Sequence, residues 1–471
     1  MPNTMNQPNN ILLIVTDQLS WRALPAYGDT YASTPNIDRI AERGVRFSQC
    51  YTPYPLCQPA RAAFWTGRFP HATGVLSNGR EFPVEPVPDS MPTLGETFAR
   101  AGYRTMHFGK RHDAGSLRGF SLAPVDQIPV EGDDAWPLNR NTFQDRHTTE
   151  QATTWLREYR DDIPTFTVVD LVNPHNICGW VGENAGPHVD VPVDVPLPEL
   201  PANFEDADFE KRPLPVQYVC CSHNRLAQAS AWNRTNYRHY LAAYYHYLHR
   251  VDAEIGRLLD ALATRPDAEQ TLIVLMGDHG DAMASHRMVT KQVSMIEETT
   301  RVPLMFAGPG MRGEGRAVHG LCSLLDLFPT LCAYAGLQAP TQLWGRSLIP
   351  WLQSQPNSEP HPYVVSEWHT EWGYTISPGR MIRTPNYKYL RYLEDEGEAL
   401  YTIPEDPGET RTLIDDPDHD EALRAHRQLL DRHLEVTDDP FFSLDWKAAP
   451  RWRSHPLGYP NHTGPAAPMV G

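Results

Sequence analysis

The chain has few cysteines, and those it has are poorly placed for cross-linking. The seven (Cys50, Cys57, Cys178, Cys220, Cys221, Cys322 and Cys332) include no C-x-x-C pair and one adjacent pair that could bridge only with strain. The spacing and the odd number argue against a disulfide scaffold. Long apolar runs are missing too, and nothing approaches the length needed to span a membrane. The first apolar run, Ile11 to Val15, follows a polar start rich in Asn and reads as a strand rather than a leader. The expectation is a cytoplasmic protein without a membrane partner. Positive charge is in deficit, with 41 Lys and Arg against 58 Asp and Glu and a formal charge of −17. That balance disfavours nucleic acid or an anionic membrane as a general partner, so an anionic substrate would need a local basic pocket. No internal repeat is visible.

What is present is the composition of a folded globule, 41% hydrophobic with 12 Trp and 20 Tyr in 471 residues. That length accommodates one large α/β domain, expected over 1–350, and a smaller α+β subdomain with a tail over 351–471. Ile11 to Val15 is a continuous apolar run, and Thr165 to Val172 and Thr271 to Met276 read as buried strands. Such runs suit central parallel strands covered on both faces, and Arg104 to Phe108 reads as another strand. The expected fold is a large, mainly parallel sheet sandwiched by helices.

Helices are expected from Thr34 through Arg43 with Thr34 as the N-cap, from Thr93 to Ala101 behind a capping box, over Thr148 to Tyr159, along Tyr237 to Leu262, and near Leu321 to Leu337. The proline-rich stretch over about 179–218 reads as an ordered insertion over the site. After Pro350, short runs at Tyr363–Ser366, Met381–Thr384, Tyr387–Tyr392 and Ala399–Tyr401 predict a small antiparallel sheet, with a helix from about Asp420 to His433.

Polar residues follow these strands. Asp17-Gln18 follows the first, Asn173-Pro174-His175 the second, and Asp278-His279 the third. Ligands of open α/β sheets bind at that carboxyl edge, where Asp17 and Gln18 suit a hard cation. In Leu56 to Pro70, the pattern C-x-P-x-R puts Pro59 in the first turn of a helix that stops near Gly67. Cys57 therefore starts the helix, where amides and dipole favour a thiolate or a bound oxyanion.

Five separated motifs add a family to this reading. They are TPNIDRIAERG at 34–44, C-x-P-x-R at 57–61, G-K-x-H at 109–112, P-H at 174–175, and D-H-G at 278–280 with His286 and Lys291 following. Together they resemble the type I sulfatases of the alkaline phosphatase superfamily. The resemblance implies an alkaline-phosphatase-like fold and oxidation of Cys57 to formylglycine by a formylglycine-generating enzyme. It also implies one divalent cation held by Asp17, Gln18, Cys57, Asp278 and His279. Ca²⁺ is favoured by the oxygen-rich set, with Mg²⁺ or Mn²⁺ open and His279 alternatively lying beside the cation-bound group.

By the same resemblance, Lys110 and Lys291 contact sulfate oxygens and Arg61 orients the modified residue. His112 takes a proton from the formylglycine hydroxyls, and His175 protonates the leaving alcohol. Asn78 either reaches the active site or forms the S-N-G turn, and His286 either lines the pocket or packs. Ala60, Gln18 and His279 depart from many members, which carry Ser, Asp and Asn there. The implied activity is hydrolysis of a sulfate ester, on a sugar-sized substrate given the insertion and the aromatic content. The alternatives are a phosphonate monoester or phosphodiester hydrolase, against which the Lys110 and His112 pair weighs, and a non-catalytic glycan-binding protein if Cys57 remains a thiol. The Pro- and Trp-rich tail could pack on the pocket or on a second copy in a homo-oligomer.

Overall fold

The computed structural model describes residues 10–78, 84–125, 140–184, 196–205, 211–213, 215–216, 229, 232–291, 294–355, 358–369, 377–393 and 397–444. Much of the insertion expected over 179–218, the pair Cys220 and Cys221, and the tail from 445 lie outside the described residues. Strands β1 (Asn10–Thr16), β2 (Val45–Tyr51), β3 (Arg104–Gly109), β4 (Ser121–Leu122), β5 (Thr165–Leu171), β6 (Thr271–Gly277), β7 (Arg301–Ala307) and β8 (Arg316–Ser323) form one sheet. Their order is β4-β3-β5-β1-β6-β7-β2-β8. The run from β4 to β6 is parallel, and β7 is antiparallel to both its neighbours.

β1 shows why its sequence is apolar without a break. Leu12 and Ile14 pack into a core layer with the long helix Arg234–Ala263, whereas Ile11, Leu13 and Val15 pack into a second layer with Phe64 and Trp65 of the Cys57 helix. Successive side chains point to opposite faces, and both faces are covered. Strands β9 (Val364–Trp368), β10 (Gly379–Arg383), β11 (Tyr387–Tyr392) and β12 (Glu398–Thr402) make the smaller antiparallel sheet, in the order β12-β11-β10-β9. The helix Asp420–Thr437 packs Leu423, Leu430 and Leu434 into the same apolar layer as Tyr389 and Leu400. β9 also reaches the loop before Cys57, where Glu367 N–H donates to the Pro53 carbonyl and His369 N–H to the Tyr54 hydroxyl, both at 2.8 Å.

Some local expectations are corrected. The Thr34 side chain does not cap the helix Pro35–Arg43; its hydroxyl donates to Asp38 instead. The first amides of that helix go to a distant carboxylate, with Asn36 N–H 3.1 Å and Ile37 N–H 2.8 Å from Asp252 Oδ1 on the long helix. Leu321 to Ser323 finish strand β8 rather than start a helix, which begins at Leu327 after a 3-10 turn. The helix before β5 begins at Arg140 instead of Thr148. Five cysteines lie among the described residues (Cys50, Cys57, Cys178, Cys322 and Cys332), and all are free. Among the described residues, no helix is long and apolar enough to cross a membrane.

Candidate active site

The carboxyl ends of β3, β5, β1 and β6 lie side by side, and each delivers polar groups to one place. Lys110 follows β3, Asp170 is near the end of β5 with His175 just beyond, Asp17 and Gln18 follow β1, and Asp278 and His279 follow β6. Glycines at two of these ends permit close packing. A Cβ on Gly109 would lie 2.0 Å from the Asp170 carbonyl oxygen, and one on Gly280 would lie 1.9 Å from that of Glu298. Both are contacts no larger residue could make.

The helix Cys57–Thr66 points its first residue at this edge. Cys57 is buried at 1% exposure, with Lys291 Nζ 2.9 Å, His279 Nε2 3.2 Å and Asp17 Oδ1 3.6 Å from its sulfur. His112 and His175 hydrogen-bond the same sulfur. Burial pushes the Cys57 thiol up, but Lys110, Lys291, His279 and the His112 hydrogen bond outweigh it and hold the group well below the ordinary thiol range. The sulfur thus occupies an anion site. Lys291 Nζ also donates to Gln18 Oε1 at 2.9 Å, and Lys110 Nζ donates to Asp17 Oδ2. Burial and Lys291 together hold His175 down at about 4, so its imidazole is neutral near pH 7.

Arg61 makes its contacts with carboxylates. Nε donates to Asp278 Oδ2 at 3.0 Å, Nη1 donates to Asp170, and Nη2 lies 3.4 Å from Asp17 Oδ2. Asp17 and Asp278 are fully buried, and Asp278 Oδ1 also accepts from Gln18 N–H and His279 N–H at 3.0 and 2.9 Å. Burial and the Asp17 charge raise the Asp278 carboxyl, whereas Lys110, His175 and Lys291 overcome burial to hold Asp17 low. One ligating atom each from Asp17, Cys57, Asp278 and His279 falls within 4.8 Å of the others. Two mutually repelling buried carboxylates beside the Gln18 amide oxygen form an oxygen-rich donor set that fits one divalent cation.

Asn78 and His286 make contacts of their own. Asn78 Oδ1 accepts from Gln58 N–H at 3.1 Å, so it binds an open amide of the Cys57 helix. His286, at φ 52°, lies 3.0 Å from Arg212 Nη2 and 3.4 Å from Asn203 Nδ2, in a buried group with Glu298. Other residues at this site belong to none of the motifs. Asp170 lies within an apolar strand. Asp145 receives the Val172 and Asn173 amides and so anchors the loop that carries His175. Asp281 and Cys178 both touch Gln18. Charged residues inside apolar runs could have flagged Asp170, and nothing local flags the rest. A second convergence, of His71, Glu367 and Asp439, is satisfied internally, because Arg380 holds Asp439 with two bonds of 2.7 and 2.8 Å and both ring nitrogens of His71 face acceptors.

Comparison with known proteins gives this geometry a family. The Sulfatase family model matches residues 9–337, and that of the N-sulphoglucosamine sulphohydrolase C-terminal region matches residues 284–435. A Delta 4,5-hexuronate-2-O-sulfatase of Bacteroides thetaiotaomicron is 47% identical over 460 residues, covering 97% of this chain and 95% of that protein. The solved structure of a 2-O GAG sulfatase has a TM-score of 0.91 at 47% identity and covers 98% of this chain and 99% of its own. A phosphonate monoester hydrolase of Agrobacterium radiobacter shares the fold at 23% identity and a TM-score of 0.74, covering 92% of this chain and 97% of its own. With its cysteine at the helix start and its polar groups on the strand ends, this chain belongs to the sulfatase family, the sulfuric ester hydrolases of alkaline-phosphatase-like fold.

Proposed function

We propose that the chain removes the 2-O-sulfate of a hexuronate in a sulfated carbohydrate, using formylglycine made from Cys57 and one Ca²⁺ ion. The observation that carries the reading is the Cys57 sulfur, set at a helix start with Lys291 Nζ 2.9 Å and His279 Nε2 3.2 Å away. That sulfur stands where an oxygen of the modified residue would be. The 47% identity to a hexuronate-2-O-sulfatase supports the choice of sugar and position. Asp17, Gln18, Asp278 and His279 would hold the cation together with residue 57. When present, formylglycine and the cation supply an oxygen nucleophile of lowered pKa, which a thiol does not provide.

The chain's own residues do the remaining work. Lys110 and Lys291 neutralise charge on the sulfuryl oxygens from fixed positions in a buried site, where such charges act most strongly. Arg61 keeps the three carboxylates apart and oriented. His175 is the proton donor to the departing sugar oxygen; burial and then Lys291 depress its imidazole, and a sulfate between the two lysines offsets the second of these. His112 accepts a proton at residue 57 as sulfate leaves.

The test begins with tandem mass spectrometry of the tryptic peptide Phe47 to Arg61, from protein co-expressed with a formylglycine-generating enzyme. An aldehyde or its hydrate is expected at Cys57, separated by fragmentation from Cys50. Sulfate release should then be faster from a 2-O-sulfated unsaturated hexuronate disaccharide than from its 6-O-sulfated isomer or a matched phosphonate ester. An unmodified thiol, with a control sulfatase converted in the same cells, removes the formylglycine mechanism; equal rates on the isomers remove the positional assignment.

A further inference from the structure

Gln18 brings a neutral amide to a group whose other oxygen donors, Asp17 and Asp278, are carboxylates. An amide serves a cation in one orientation only, with oxygen inward. The other orientation presents an NH₂ group to the cation. Two groups of opposite hydrogen-bonding capacity stand at the ends of this amide. Lys291 Nζ, which can only donate, is 2.9 Å from Oε1, and Asp281 Oδ2, which accepts when ionised, is 2.6 Å from Nε2. This chemistry assigns the orientation of the amide. The backbone is pinned as well, because Gln18 stands at φ 66° and its carbonyl accepts from the Tyr244 hydroxyl at 2.6 Å.

Asp281 is fully buried, and its two oxygens divide their work. Oδ1 accepts from Met283 N–H at 2.9 Å and from the Tyr240 hydroxyl, which itself accepts from Thr290 N–H at 2.8 Å. Oδ2 serves the Gln18 amide. One oxygen thus ties Asp281 to the scaffold, leaving the other to set the amide.

We propose that Asp281 is a positioning residue, which holds the Gln18 carboxamide with its oxygen toward Lys291 and the cation and its NH₂ away from them. The proposal rests on the cation reading given above, and Asp281 acts through Gln18 rather than on substrate. The charge that a carboxylate at position 18 would bring to the site stands instead on Asp281, one hydrogen bond further out.

Exchanging the two groups tests this directly. In Asp281→Asn, the oxygen keeps Tyr240 and Met283, and an NH₂ group replaces Oδ2 opposite the Gln18 NH₂. Either orientation of the Gln18 amide then sets donor against donor at one end, so its oxygen is no longer held firmly toward Lys291 and the cation. Gln18→Glu alone sets carboxylate against carboxylate. The double variant Gln18→Glu/Asp281→Asn restores a donor facing an acceptor and keeps an oxygen toward the cation. Ca²⁺ is titrated into the full chain and its four forms are followed by thermal melting, with EDTA as the baseline. Asp281→Asn is expected to raise the Ca²⁺ midpoint about 10-fold or more, the usual scale for a group that orients a metal ligand. The double variant should return it to the wild-type value or below.

A purely structural Asp281 would lower melting in EDTA and leave the Ca²⁺ midpoint of Asp281→Asn unchanged. That result, or a double variant no better than Asp281→Asn, overturns the proposal. Should Asp281→Asn fail to fold, the double variant decides, supporting the proposal by folding and responding to Ca²⁺ and overturning it by failing either. A wild-type chain indifferent to Ca²⁺ overturns the cation reading and this proposal together. An unchanged midpoint beside a responsive wild type removes only the role of Asp281.

Discussion

Arg61 is 1% exposed and faces three carboxylates, of Asp17, Asp170 and Asp278, that are themselves 0% exposed. Burial alone would lower its pKa, and the three carboxylates raise it well above the ordinary value. Removing one partner of a buried ion pair leaves the others uncompensated, which costs more than the pair contributes. Arg61→Ala is therefore expected to lose about 3–5 kcal/mol of stability in urea denaturation. Arg61→Lys keeps the charge, but one ammonium cannot reach three carboxylates, so it should lose less and still fall below wild type. A loss under about 1 kcal/mol for Arg61→Ala would place the compensation elsewhere. Lys110→Ala strips the buried Asp17 of a partner and so should also lower the melting temperature; assayed where the variant stays folded, it should lower kcat about 10²- to 10³-fold, the scale for one fixed electrostatic donor, as measured by sulfate release. Most of this site could be read from sequence because each residue sits at the end of an apolar run or inside a spaced motif. Asp170, Asp145 and Asp281 could not, because their meaning depends on partners from other strands and helices.

At the scale of elements, the central strands were readable because burial on both faces leaves an unbroken apolar run, as in Ile11 to Val15. β2 was not. Its apolar residues Val45, Phe47 and Cys50 fall out of step because the register shifts after Phe47, where pairing to both neighbours is irregular. The same limit governs capping. Thr34 carries the local signature of an N-cap, yet the cap is Asp252, whose carboxylate takes the Asn36 and Ile37 amides and the Asn36 side-chain NH₂ at 2.9 Å. A cap brought in from another helix leaves no trace in the local sequence. Asp252→Ala should accordingly cost about 1–2 kcal/mol, the range for losing a cap. Thr34→Ala, which removes only one long hydrogen bond of a buried hydroxyl, should cost less, about 0.5–1 kcal/mol. Urea denaturation of the pair separates the two, and a Thr34→Ala deficit equal to that of Asp252→Ala would contradict the assignment.

At the scale of the whole molecule, the smaller sheet closes against the segment that carries the cysteine, and His71 is at the joint. Its backbone N–H donates to Glu367 Oε2 at 2.9 Å, its Nδ1 lies 2.6 Å from Glu367 Oε1, and its Nε2 lies 3.1 Å from the Thr437 carbonyl. A carboxylate and a carbonyl can only accept, so both ring nitrogens must carry protons and the group is an imidazolium. Phe69 stacks on the ring, Asp439 stands 3.5 Å from Nδ1, and Arg380 and a neutral His433 complete the surroundings. Burial lowers the pKa of His71, but Glu367, Asp439 and the Thr437 carbonyl outweigh it and raise the group above 6.5. A folded-state pKa above the unfolded value means that the folded form binds the extra proton. The stability gained is complete below about pH 6.5 and is lost as pH rises through the raised value. The melting temperature of the wild-type chain should therefore fall from pH 6 to 9 more steeply than that of His71→Gln, whose side chain does not titrate. A wild-type slope no steeper than that of His71→Gln would show that the ring is neutral and that the two parts are joined mainly by other contacts. The buried Lys388, held by Glu297 at 3.3 Å and Glu409 at 2.9 Å, is the next candidate for that joint.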